Sequence, residues 1–201
     1  MTATATKKTI VWDLDDVLNN LMEAWLEKAW QVERPDSTVV FAQLETNPPH
    51  AILPATPAEY LHSLDRFRLS KLADKLAPNL AVLKWFQSSG DRFNHHVLTA
   101  RPVSTVAPAA SWVFTHFGRW IRHFHFVPSP RSGESLPSYE NSKGEVLAKL
   151  GPVDFFIDDS PENVAAATAL GIRSFIFPQP WNSSEKPVPE ILNELSHHAH
   201  P

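Results

Sequence analysis

Three carboxylates, Asp13, Asp15 and Asp16, fall within four positions directly behind the apolar run Thr9-Ile10-Val11-Trp12. A short apolar run closed by a polar turn reads as a buried parallel strand. The C-terminal end of such a strand is where an open α/β sheet binds its ligands. Carboxylates this close repel one another, and a bound cation or full solvation relieves the repulsion. A second acidic pair, Asp158-Asp159, closes the apolar run Val153 to Ile157; Thr99 closes another, Phe93 to Leu98; and Lys143 opens a helix in Ser142-Lys143-Gly144-Glu145. In a parallel sheet these points converge on one edge. Carboxylates from two strands supply hard oxygen ligands for Mg²⁺, which neutralises carboxylates and phosphate together. A free aspartate can attack phosphorus, and a second carboxyl can protonate the leaving oxygen and then activate water. A hydroxyl and an ammonium can hold the remaining phosphoryl oxygens as charge develops.

The elements that must position these groups alternate. Strands are expected at Thr9 to Trp12, Phe93 to Leu98, Ile121 to Val127, Val153 to Ile157 and Arg173 to Phe177. Helical periodicity marks Leu18 to Glu33, where Leu18, Leu21, Met22, Trp25, Leu26, Ala29 and Trp30 recur at spacings of three and four. The Trp25 and Trp30 stripe reads as core rather than as a stacking surface. Thr56-Pro57-Ala58-Glu59 is a capping box with proline at the first helical position, opening a helix to about Leu76. Further helices follow at Leu80 to Gly90, Val103 to Phe117 with Gly118 as C-cap, Ser142 to Gly151, Ser160 to Gly171 and Val188 to Leu195. One short strand is possible at Thr38 to Phe41. Alternation at this spacing predicts an α/β fold with a doubly wound parallel sheet. The stretch between the first two strands is far longer than a crossover needs. It reads as a helical insert above the C-terminal edge of the sheet, with residues 18–77 as cap and residues 1–17 and 78–201 as core domain.

Composition narrows the function classes. The 201 residues suit one domain, or one domain with a small insert. A formal net charge of −4 argues against a surface that tracks nucleic-acid phosphates, so no stable nucleic-acid partner is expected. The absence of cysteine excludes disulfides, thiolate catalysis and cysteine-based zinc sites, and accords with a reducing cytoplasm. No apolar run has the length of a membrane span, and Met1 to Lys8 is polar with no signal core behind it. Eighteen prolines against six glycines fall mainly between elements, as rigid loop punctuation. The histidine-rich end, His197, His198 and His200, reads as a frayed tail.

Taken in order, the motifs resemble those of the haloacid dehalogenase-like hydrolases. Asp13-Leu14-Asp15-Asp16-Val17 is similar to that superfamily's first motif, Asp-x-Asp-x-Thr/Val, and Leu98-Thr99 to its second. Lys143 fits the third, and Phe155-Phe156-Ile157-Asp158-Asp159-Ser160-Pro161-Glu162-Asn163 the acidic fourth. The resemblance implies a Rossmann-like fold with a helical cap after the first strand. It implies Asp13 as nucleophile and metal ligand, and Asp15 as general acid/base with its carbonyl on the metal. Thr99, Ala100 and Lys143 would hold the phosphoryl group, and Asp158 and Asp159 would complete a Mg²⁺ site. Removing Lys143 is then expected to cost activity and little stability. Asp16 departs from the pattern, which usually has Gly there; it is harmless if it points to the surface. Arg101 reaches either a substrate phosphate or a carboxylate, and Asn19 and Asn20 either contact substrate or cap the helix. Ser160 and Asn163 read as helix-capping groups.

The activity implied is hydrolysis of a small phosphorylated substrate; dehalogenation is disfavoured by the acidic fourth motif. Phosphoryl transfer to an alcohol and non-catalytic binding of a phosphate ligand are the alternatives. The order of motifs and cap resembles the 5′(3′)-deoxyribonucleotidase branch, for which Phe41, Tyr60, Phe67 and Trp85 are candidate base-stacking residues, although core packing explains most of them. A small phosphometabolite fits equally. Oligomeric state is open.

Overall fold

The central strand explains the rest of the architecture. β1 (Thr9–Trp12) carries side chains that are fully buried on both faces from Ile10 onward, so the chain must cover both sides of it. A computed structural model describes residues 7–198 and shows how: five parallel strands in the order β3-β2-β1-β4-β5. These are β1, β2 (Asn94–Arg101), β3 (Ile121–Pro128), β4 (Phe155–Asp158) and β5 (Arg173–Ile176). Trp12 lies opposite Val97 of β2 and Ile157 of β4. Ile10 and Trp12 face a large core completed by α5 (Leu80–Ser89), α6 (Val106–Phe117) and α9 (Val188–His197). Val11 faces the other way, into a smaller core with Leu98, Phe156 and residues of α7 (Lys143–Leu147) and α8 (Pro161–Ala169). The chain winds outward through β2 and β3, then returns to the other side of β1 for β4 and β5. The winding direction therefore reverses between β1 and β4, the place where a doubly wound sheet opens a crevice.

The segment between β1 and β2 is helical. α1 (Leu21–Trp25) runs through a π-helical turn (Leu26–Trp30) into α2 (Gln31–Glu33). α3 (Pro57–Arg68) starts at the expected capping box: Glu59 N donates to Thr56 Oγ1 at 3.2 Å and Thr56 N to the Glu59 carboxylate at 2.8 Å. α1 and α3 pack on each other through Trp25, whose ring meets Tyr60 edge-on at 5.4 Å and whose Nε1 donates to Ser63 Oγ at 3.2 Å. Trp25 and Trp30 are fully buried, as core residues.

Several boundaries differ from the sequence expectation. The helix opened by Thr56 ends at Arg68, with Leu69 as C-cap, because Ser70 Oγ takes the N–H groups of Leu72 and Ala73 and starts a separate turn, α4 (Lys71–Asp74). Thr38 to Phe41 forms no strand; a 3₁₀ turn occupies Phe41–Gln43. β2 runs past Leu98 to Arg101, since β3 is equally long and pairs with it as far as Arg101 opposite Pro128. β4 likewise includes Asp158, with Val153 outside it. A 3₁₀ turn (Val103–Thr105) precedes α6, and Gly118 ends that helix in a right-handed conformation, φ −61°. α7 stops at Leu147, well short of Gly151. Among the described residues no helix is long and apolar enough to cross a membrane. Residues 1–6 and His200, on which the two terminal readings partly rest, lie outside the described residues.

Candidate active site

The turn after β1 is built by its own polar side chains. Asp13 N donates to Ile157 O at 2.8 Å, which ties the turn to β4. Asn19 Oδ1 accepts from Asp16 N at 3.1 Å and Leu21 N at 3.0 Å, and Asp16 Oδ1 accepts from Met22 N at 2.9 Å. Asn19 is therefore a turn-capping group, and Asn20 lies at the surface with Asn79 Nδ2 3.4 Å from its Oδ1. Asp16 is not at the surface: it is only 3% exposed and sits at φ 63°. That left-handed backbone is what a glycine supplies readily and an aspartate tolerates. Burial, with Asp159 adding repulsion, raises the Asp16 carboxyl well above its usual range.

Below this turn lies the acidic cluster. Lys143, the first residue of α7, is only 4% exposed. Its Nζ donates to Asp158 Oδ2 at 2.7 Å and sits 2.6 Å from Asp13 Oδ1. The second contact is an ion pair, and among the described residues Lys143 is the one cation facing Asp13 Oδ1. α7 is capped by Ser142 Oγ, which accepts from Glu145 N, while the Glu145 carboxylate turns to Asn141 N; the capping box is half made. Asp158 has both oxygens engaged: Oδ1 accepts from Ser160 N at 2.9 Å and Asn163 Nδ2 at 3.0 Å, and Oδ2 from Lys143. Asp159 accepts through Oδ2 from Trp181 Nε1 at 2.7 Å. Ser160 Oγ caps α8 through Asn163 N, as expected.

Carboxylate oxygens of Asp13, Asp158 and Asp159 all lie within 4.8 Å of one another. Three buried carboxylates with one ammonium leave an excess of negative charge. Burial raises the Asp13 carboxyl well above its usual range; Lys143 opposes this, while Asp158 and Asp159 add to it. Burial with repulsion from Asp158 pushes Asp159 up to about 6. Burial works against the Lys143 charge, but Asp13 and Asp158 outweigh it and hold the ammonium protonated. The donor set is all hard oxygen and three carboxylates face a single ammonium; these residues fit a divalent cation such as Mg²⁺.

Asp15 points elsewhere. Arg101 Nη2 is 2.7 and 2.6 Å from its two oxygens, and Arg68 Nη2 donates to Oδ2 at 3.1 Å. Burial disfavours the Asp15 charge, yet the two guanidinium groups more than offset it and hold the carboxyl below its usual range. Of the two readings of Arg101, the structure shows the carboxylate partner.

Asp13, Asp15, Asp16, Thr99, Ala100, Lys143 and Asp159 line one cavity of about 170 Å³, with Asp158 buried beneath it. Its other wall is Leu21 and Met22 of α1, Tyr60, Leu64 and Arg68 of α3, and Asn47. Of the candidate stacking residues only Tyr60 lines it. Phe67 and Trp85 are buried in the core, and Phe41 packs edge-on against Trp181 at 5.9 Å. Arg68 and Trp181 were not singled out by their sequence context. A cation in the last turn of a helix is ordinary, and Trp181 sits in a proline-flanked loop that carries no motif.

No protein-family model and no curated protein sequence matches the chain. Solved structures do. A hydrolase from Streptococcus pneumoniae TIGR4 is similar with a TM-score of 0.60 at 11% identity, over 94% of this chain and 98% of its own. A putative beta-phosphoglucomutase from Thermotoga maritima gives 0.52 at 18% identity, over 95% and 99%. A haloacid dehalogenase-superfamily hydrolase of subfamily IA from Geobacter sulfurreducens PCA gives 0.51 at 15% identity, over 90% and 91%. At these identities the likeness establishes the fold: an α/β, Rossmann-like sheet of the haloacid dehalogenase type.

Proposed function

We propose that this chain is a Mg²⁺-dependent phosphomonoester hydrolase working through an aspartyl-phosphate, with residues 18–77 as a helical cap. The observation that carries the reading is the single cavity at the β1/β4 switch point, where Asp13, Thr99, Lys143 and Asp159 meet. Asp13 is the nucleophile: its carboxylate forms a bond to phosphorus as the ester oxygen leaves. Asp15, two residues on, protonates the leaving oxygen and then takes a proton from the water that hydrolyses the phosphoenzyme. Thr99, Ala100 and Lys143 bind the phosphoryl oxygens. Asp13, the Asp15 carbonyl and Asp159 would hold Mg²⁺, which offsets phosphate charge when bound. Asp158, whose oxygens are both engaged, positions Lys143.

A small phosphometabolite suits the cavity better than a nucleotide, since one aromatic residue rather than a stacking pair lines it. The test is a panel of phosphomonoesters with Mg²⁺, with and without EDTA. Turnover that requires the metal and is lost in Asp13→Asn supports the reading; full turnover in excess EDTA overturns its metal requirement, and full turnover in Asp13→Asn its nucleophile.

A further inference from the structure

As general acid/base Asp15 must deliver a proton, yet it is clamped between two arginines. These belong to a chain of alternating charges that joins sheet and insert: Arg101, Asp15, Arg68, Asp65, Arg131. Each aspartate already has a close partner on the sheet side. Arg101 grips Asp15 at 2.6 and 2.7 Å, and Arg131, from the loop after β3, grips Asp65 at 2.6 and 3.0 Å. Arg68, at the end of α3, is the looser partner of both, with one contact of 3.1 Å to Asp15 and one of 3.2 Å to Asp65. Charge-assisted bonds of this kind are normally shorter. Its Nε–H is buried with no acceptor. The chain has three cations and two anions, so one positive charge is unbalanced within it.

Arg68 also occupies a singular place. The cavity has two cationic side chains in its wall, Arg68 and Lys143. Lys143 is spent on Asp13 and Asp158 at the phosphoryl end. Arg68 faces the cavity from the insert, where its other neighbours from that segment, Leu21, Met22, Asn47, Tyr60 and Leu64, are uncharged. Asp15, Arg68 and Arg101 also line a separate small void of about 30 Å³, and Arg101 Nε–H likewise lacks an acceptor.

We infer that Arg68 is the receptor for a second anionic group on the substrate, so that the substrates are phosphomonoesters bearing a carboxylate or a further phosphate. This rests on the phosphomonoesterase reading. The incoming anion takes the Arg68 guanidinium, including its unpaired Nε–H, and Asp15 gives up its looser partner while keeping Arg101. Asp15 is then held by Arg101, with Asn19 Nδ2 on Oδ1, and has lost the one contact that ties it to the insert, so it can turn toward the leaving oxygen. An ester without a second anionic group leaves the clamp in place, so recognition of the second anion and placement of the acid/base are one event.

The test compares 3-phosphoglycerate with glycerol 3-phosphate, which replaces the carboxylate by a hydroxymethyl group, and fructose 1,6-bisphosphate with fructose 1-phosphate. Wild type, Arg68→Met and Arg68→Lys are assayed for kcat/KM in Mg²⁺. Binding of the same four compounds is measured in the Asp13→Asn background with and without Arg68→Met, and Tm is recorded for every variant. Asp15 and Asp65 keep Arg101 and Arg131, so Arg68→Met is expected to fold. The wild type should favour at least one compound with a second anionic group over its partner without one by about 10-fold or more, and Arg68→Met should lose about 10- to 100-fold on that compound, the scale of one charge-assisted bond. The partner without that group should gain turnover, because Arg68→Met itself removes the contact to Asp15 that a second anion displaces, and Arg68→Lys should recover part of the loss on the compound with the second anion. The pair that discriminates identifies the anion as carboxylate or phosphate. Equal loss on esters with and without the second anionic group, or no preference in the wild type, overturns the inference. If no compound is hydrolysed, the hydrolase reading fails, and the binding arm alone decides: a preference for the second anionic group that disappears with Arg68→Met upholds Arg68 as the receptor, and its absence refutes it.

Discussion

Lys143→Met keeps the length of the side chain and removes its charge. In the native structure the ammonium lies 2.6 Å from Asp13 and 2.7 Å from Asp158, and the three side chains are 4%, 7% and 0% exposed. Removing one partner of a buried ion pair typically costs about 3–5 kcal/mol, because the other charge stays buried without compensation. Here the cost falls toward about 3 kcal/mol, because burial already raises the Asp13 and Asp159 carboxyls, so the cluster takes up a proton more readily once the ammonium is gone. For a chain of this size that is a Tm lower by about 6–12 °C. The structure thus reverses the expectation, drawn from the sequence, that stability would hardly change. Mg²⁺ should rescue the variant, since a cation at about 100 times its Kd stabilises by about 2.7 kcal/mol and no longer competes with the ammonium. Thermal melts of wild type and variant, with and without saturating Mg²⁺, measure both effects. A variant that melts within about 2 °C of wild type in EDTA would show that Lys143 does not balance the buried carboxylates. Equal stabilisation of both proteins by Mg²⁺ would show that the ammonium and the cation do not share ligands.

Two further outcomes follow from buried titratable groups. His95 accepts from Trp12 Nε1 through Nδ1 at 3.1 Å and, as the Nε2–H tautomer, donates to Gly90 O at 2.9 Å; burial depresses its pKa to about 4. Because the folded value lies below the unfolded one, its contribution is complete above pH 6.5 and lost as pH falls toward 4. The loss is about 2 kcal/mol between pH 7 and pH 5, and urea melts of His95→Gln should show a correspondingly smaller drop between these pH values; an unchanged drop refutes the assignment. Asp16 has the opposite sign: its raised carboxyl costs nothing below the unfolded pKa of 3.8 and destabilises as pH rises above it. Asp16→Asn retains an acceptor for Met22 N and should raise Tm at pH 7 but not at pH 3.5, and a lower Tm at pH 7 would show that the negative charge is needed there.

The sheet was legible because a strand buried on both faces is a continuous apolar run, and Ile10, Val11, Trp12, Phe155, Phe156 and Ile157 form two such runs side by side in space. The carboxylates that close them were legible for the same reason, as the first polar groups past a buried strand. What was not legible depends on groups distant in the chain. Arg68 is an unremarkable helix-terminal cation until α3 folds over β1 and sets it against Asp15. The burial of Asp16 follows from its left-handed backbone and from Met22 N, six residues on, which Asn19 brings into place. The helix break at Leu69 was hidden because Ser70 is tolerable inside a helix and equally able to cap the next one. The two possibilities for Arg101 were separated only by the length of β2, which β3 determines.

The most direct test of the account is a single-turnover experiment. Wild-type protein is mixed with a ³²P-labelled phosphomonoester identified in the panel, quenched in acid within the first turnover, and analysed for acid-stable, base-labile label on the protein. Label should accumulate on a peptide containing Asp13, require Mg²⁺, and be absent in Asp13→Asn. Turnover at the wild-type rate with no label at Asp13, or with label retained in Asp13→Asn, would contradict it.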